Sequence, residues 1–168
     1  MDGGDVIVRS AIAGSTIAYA WGEWLQSSRA YRESGRARIV WTTGAALCVA
    51  HVAAAFHVRY GWSHAHAYRD TALQTAAVTG LEWGGGLWVN YAFLAVWAAD
   101  VAWWWVSPES RASRPRWLDA GIGFFFLFMF INGAVVFAGG PTRLIGIAAV
   151  GVAAVALWKR ADRGHANA

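Results

Sequence analysis

Long apolar runs alternate with short polar segments along the whole chain. Five runs stand out: Val6 to Leu25, Ile39 to Tyr60, Leu87 to Val106, Trp117 to Phe137 and Leu144 to Trp158. A helix crosses the hydrocarbon core of a bilayer with roughly 20 residues, so the first four runs have the length of a crossing. The fifth holds only about 15 uncharged residues, short of the roughly 17–25 usual for a span. A four-crossing alternative makes it an interfacial or re-entrant piece.

The segment between the second and third runs has a different pattern. Ser63 is placed to N-cap a helix and Gly80 to end it. Between them Ala65, Tyr68, Ala72, Ala76 and Thr79 recur at helical spacing, while His64, His66, Arg69, Asp70 and Gln74 occupy other faces. That is the pattern of a short amphipathic helix lying at a membrane interface. Gly84, Gly85 and Gly86 then allow a sharp turn into the third run. The expected fold is all-α. It is a single integral membrane domain over residues 1–168, a bundle of about five transmembrane helices with an interfacial helix between the second and third.

Composition agrees. Hydrophobic residues make up 57% and charged residues 14%, against about 25% charged in soluble domains. The net charge of +4 comes from clusters between the apolar runs rather than from a continuous stripe, which argues for membrane topology and against a nucleic-acid partner. Arg29, Arg32, Arg36 and Arg38 form one cluster, Arg111, Arg114 and Arg116 a second, and Lys159, Arg160 and Arg163 a third. Five crossings put all three on one side, opposite Arg9, Arg59, Arg69 and Arg143. The positive-inside bias makes the clustered side cytoplasmic, with the N-terminus outside and the C-terminus inside a bacterial cytoplasmic membrane. Tryptophans fall near the ends of the runs, as interfacial belts require, leaving Trp97 alone in the middle of one. The start MDGGD has no basic n-region, so the first run is expected to be a permanent helix.

Several chemistries lack their motifs. Cys48 is the sole cysteine, which excludes an intrachain disulfide, a cysteine-pair metal site and covalent c-type haem. Phosphate-binding glycine loops, GxSxG and HExxH are absent, so no nucleotide is expected and no reaction is named. Lys159, the only lysine, sits at a helix end, which excludes a retinal-type Schiff base in mid-membrane.

Polar side chains at membrane depth are costly unless paired, so each is a functional candidate. The leading expectation is a transition-metal site (copper, iron or zinc) on the outer face, with His57, His64, His66 and Glu82 as ligands. Helical geometry qualifies it: His64 and His66 diverge by about 200° on a helix and share a metal only if extended. Haem b is the less favoured cofactor, because His51 and His57 lie about 120° apart on one helix and cannot clamp it from both sides. His51, one turn from Cys48 on a small-residue face, is the candidate cofactor contact, or else an interhelical hydrogen bond or proton relay.

Asp100 shares an aromatic stripe with Phe93, Trp97 and Trp104, and a structural anchor held by Trp N–H groups or an arginine is favoured. Glu23 and Asp119 sit at run ends, where hydration makes a charge cheap. Arg9 is expected to reach the headgroups or to pair with Asp70 or Glu82. Two functions remain: metal or redox-cofactor binding at the histidine segment, or a non-catalytic accessory subunit or small-solute or proton permease component using His51 and Asp100. The partners are the lipid bilayer and a homo-oligomer or larger membrane complex.

Overall fold

Every regular element among the described residues is helical. The computed structural model describes residues 3–28 and 35–166; Arg29 and Arg32 of the first basic cluster, and the side chain of Arg163, lie outside them. The elements are α1 (Gly3–Gln26), α2 (Gly35–Val58), α3 (His64–Thr79), α4 (Gly86–Val106), α5 (Pro108–Ala112), α6 (Arg116–Ile131), a π-helical segment (Asn132–Val136) and α7 (Pro141–Ala166).

Three stretches are long and apolar enough to cross a membrane: Gly35–Val58, Arg116–Val136 and Pro141–Asp162. The third contains the fifth run, Leu144 to Trp158, whose helix begins at Pro141 and continues past Trp158, so the short uncharged stretch lies within a helix of spanning length. α1 and α4, with 24 and 21 residues, have the length too. Their tryptophans, tyrosines and charged residues hold their hydropathy lower.

The five long helices close into a ring. α1 packs along α2 and α7, α2 along α4, and α6 along both α4 and α7. The five alternate in direction in chain order, so that α1 and α7, where the ring closes, run parallel and bring Glu23 and Arg160 together near their ends. Arg59 just past α2 pairs with Asp5 at the start of α1 at 2.9 Å, and at the other end Trp41 near the start of α2 bonds Asp100 near the end of α4.

Aromatic side chains fill the middle of the ring. Tyr19 stacks on Phe130 with centroids 4.1 Å apart, and Trp41 stacks on Phe126 at 5.5 Å. Phe93 and Trp97 meet both phenylalanines edge-on or tilted. The Phe124–Phe130 run divides by helical period: Phe126 and Phe130 are buried, whereas Phe124 and Phe128 are exposed. α7 contributes only small buried residues here, Ala149, Ala153 and Ala156. This is the close backbone approach that small residues permit.

Gly146 of α7 lies against the carbonyl of Ala134 in the π segment, where any Cβ would overlap the oxygen. The π segment widens the helix that the sequence reads as continuous through Phe137. Its i→i+5 bond runs from the Phe137 N–H to the Asn132 carbonyl at 2.9 Å.

α3 begins and ends where its capping signals are. The Ser63 hydroxyl accepts from the His66 N–H at 3.2 Å, and Gly80 takes the left-handed conformation with φ 78°. Gly84 follows because its backbone passes the Tyr68 carbonyl, which would lie 2.6 Å from an added Cβ.

Candidate functional site

The two ends of the ring differ in chemistry, with the aromatic layer between them. At one end six charged side chains interlock. Arg111 donates from Nε and Nη2 to the two oxygens of Asp100 at 3.0 and 2.7 Å, and Arg114 reaches Oδ1 of the same carboxylate at 2.6 Å. Trp41 Nε1 donates to Asp100 as well, at 2.8 Å. Arg114 continues to Asp119, and Arg160 links Asp119 to Glu23, the latter at 2.6 Å. Arg111 also donates to Gln26 Oε1 at 3.0 Å, and its guanidinium lies 3.7 Å from the Trp104 ring centroid.

Three arginines thus face three carboxylates, from α1, α4, α5, α6, α7 and, for Arg114, the link between α5 and α6. This explains the cost of burying Asp100, whose side chain is 1% exposed. The anchoring arginine expected from sequence is supplied twice over. Glu23 corrects another expectation: it is not hydrated at a helix end but 3% exposed and paired with Arg160.

The other end opens into a cleft of about 980 Å³ between α1, α2, α3, α4 and the α6–π helix. Its floor is apolar, with Phe93, Leu94, Phe128 and Phe130, its walls carry His51, Tyr60, Thr71, Thr75 and Asn132, and exposed Asn90 stands at its rim. The π segment and α3 both border it, so two departures from a plain helical hairpin shape the same space.

His51 is fixed by α1. Its Nδ1 lies 2.9 Å from the Val8 carbonyl; a carbonyl only accepts, so Nδ1 carries the proton, and in the neutral ring Nε2 keeps its lone pair. This is the interhelical bond that the small-residue face of α2 predicts, and Gly44 and Cys48 of that face are buried. Tyr60 donates to Asp70 at 2.8 Å, and burial together with the carboxylate pushes its hydroxyl up to about 12. Gln74 donates to the same Asp70 oxygen at 2.8 Å. Asp70 is therefore occupied by α3 and its approach rather than by Arg9. Within the aromatic layer, Tyr19 Oη and Trp97 Nε1 are buried without a partner.

The proposed metal ligands have separate neighbours. His57 packs near Trp62, His64 sits 3.1 Å from the Tyr91 hydroxyl and beside Trp88, and His66 lies against Tyr60. His64 and His66 occupy the first turn of α3, the helical arrangement that directs them apart. Glu82 is exposed in the link to α4. Among the described residues no three His, Cys, Asp or Glu side chains are grouped so as to hold a metal ion. His51 is the candidate that lines the cleft; the other cleft groups, Tyr60, Thr71 and Thr75, carried no sequence signal beyond helical spacing.

No protein-family model, no curated protein and no solved structure matches the chain.

Proposed function

We propose that this is an integral membrane protein that binds a small amphiphilic molecule in the cleft, with His51 as the main polar contact. One observation carries the reading: a cavity of about 980 Å³ with an aromatic floor and polar walls, into which a fixed imidazole opens. Such mixed lining suits a ligand with an apolar body and a polar head. The aromatic layer and the interlocked charges beyond it close the opposite end, so the ligand enters and leaves by the cleft.

Five long helices that alternate in direction along the chain support five membrane crossings. The gathering of Arg38, Arg111, Arg114 and Arg160 at one end, by the positive-inside bias, favours a cytoplasmic ion-pair end and an outward-facing cleft. That orientation keeps the binding role on the histidine segment, with an organic ligand in place of a metal. A metal on His57, His64, His66 and Glu82 would require those side chains to leave their present neighbours and converge.

The test is organic extraction of protein purified in lipid nanodiscs, followed by mass spectrometry, with elemental analysis of the same sample. A stoichiometric small molecule that is lost in Ala55→Trp, which fills the cleft, and reduced in His51→Leu supports the reading. An empty extract with a stoichiometric transition metal that His57→Ala/His64→Ala removes would overturn it in favour of the metal site.

A further inference from the structure

The polar groups of the cleft are sorted by what they have left to offer. His51 has spent its ring proton on Val8. Tyr60 has spent its hydroxyl proton on Asp70. Thr71 and Thr75 donate theirs back along α3, to the carbonyls of Ala67 and Thr71, each at 2.8 Å. All four groups are half-buried and line one cavity. What each still presents is a lone pair. Donor hydrogens remain on Arg9, Arg59, Trp83 and Asn90, which are exposed at the rim, and among the half-buried groups on Asn132, whose amide gives one hydrogen to the Phe128 carbonyl and keeps the other.

Accordingly, we infer that the ligand of this cleft is a hydrogen-bond donor, an amphiphile whose head carries hydroxyl groups, and that His51 Nε2 receives one of them. This rests on the cleft being the binding site. A head that only accepts would set lone pair against lone pair and leave both desolvated, the expensive outcome for a buried polar group. A carboxylate or phosphate head would face the same lone pairs with a charge. A neutral polyhydroxyl or phenolic head meets them with the complementary hydrogens, and the rim donors remain free to donate to its outer oxygens.

Three probes of one skeleton test this: decylhydroquinone, its dimethyl ether and decylquinone, which keep the tail and ring but differ in hydroxyl hydrogens. Binding to the protein in nanodiscs is measured by calorimetry under reducing conditions for the hydroquinone. The hydroquinone is expected to bind about tenfold or more tightly than either of the others, each tenfold being about 1.4 kcal/mol. His51→Leu should erase that preference. His51→Gln should retain it, because an amide can donate to Val8 and still present an oxygen. Equal or tighter binding of the quinone or the ether overturns the donor assignment and leaves the cleft as a binding site. Binding of none of the three overturns both. A preference that survives His51→Leu overturns the role of His51.

Discussion

Arg111 grips Asp100 with two parallel hydrogen bonds although the two residues belong to different helices and both are almost fully buried, at 7% and 1% side-chain exposure. A buried ion pair recovers its desolvation cost only when its remaining hydrogen-bonding capacity is also filled. Here Trp41 and Arg114 fill that of the carboxylate, and Gln26 and Trp104 occupy the guanidinium.

Asp100→Asn keeps the shape of the side chain and removes its charge, leaving two buried guanidiniums facing a neutral amide. Breaking one side of a buried pair costs about 3–5 kcal/mol. A large drop in the thermal midpoint, followed by size-exclusion chromatography in detergent, is expected. An unchanged midpoint would mean that the cluster is solvated.

Gly146→Ala places a methyl group on the Ala134 carbonyl oxygen, and backbone on both sides prevents easy relief. Overpacking of this kind costs about 1–3 kcal/mol or more. Gly151→Ala on the same helix meets nothing within 4 Å and gains helix propensity. The first variant should lose thermal stability and the second should not; equal behaviour would remove the close approach of α7 to the π segment.

Ser63→Ala removes the side-chain cap of α3 and should cost about 1 kcal/mol. Since α3 forms a wall of the cleft, the loss should appear locally. Amide hydrogen exchange in the first turns of α3 should accelerate while α1 and α2 keep their protection. Uniform acceleration throughout would mean that α3 is not a separate unit.

The orientation has its own check. Cys48 is buried, so Cys48→Ala provides a background for single cysteines at His64 and Glu109. A membrane-impermeant maleimide should label position 64 on intact cells and position 109 only after permeabilisation. The reverse pattern would invert the topology.

Much of the architecture is local and therefore legible before any fold is seen. Apolar run length depends on neighbouring residues, as do the capping signals of Ser63 and Gly80 and the small-residue face that sets His51 against α1. These features led to an all-helical bundle, to α3 with its observed ends and to His51 as a polar contact between helices. From sequence the Phe124–Phe130 run reads as lipid-facing or core-filling, and only packing assigns Phe126 and Phe130 to the core.

What tertiary structure decided are relations between distant parts of the chain. Glu23 and Arg160 are 137 positions apart, and nothing in either one's neighbourhood announces the other. Run position alone makes Glu23 a cheap, hydrated residue, whereas packing buries it and supplies its partner. The histidines show the converse: closeness in sequence suggested a shared centre, but a helix sends side chains two residues apart to opposite sides. The cleft exists only because five helices, a π segment and α3 leave the same space unfilled. Burial and pairing are properties of the closed ring, and the one-dimensional pattern records only which residues could take part.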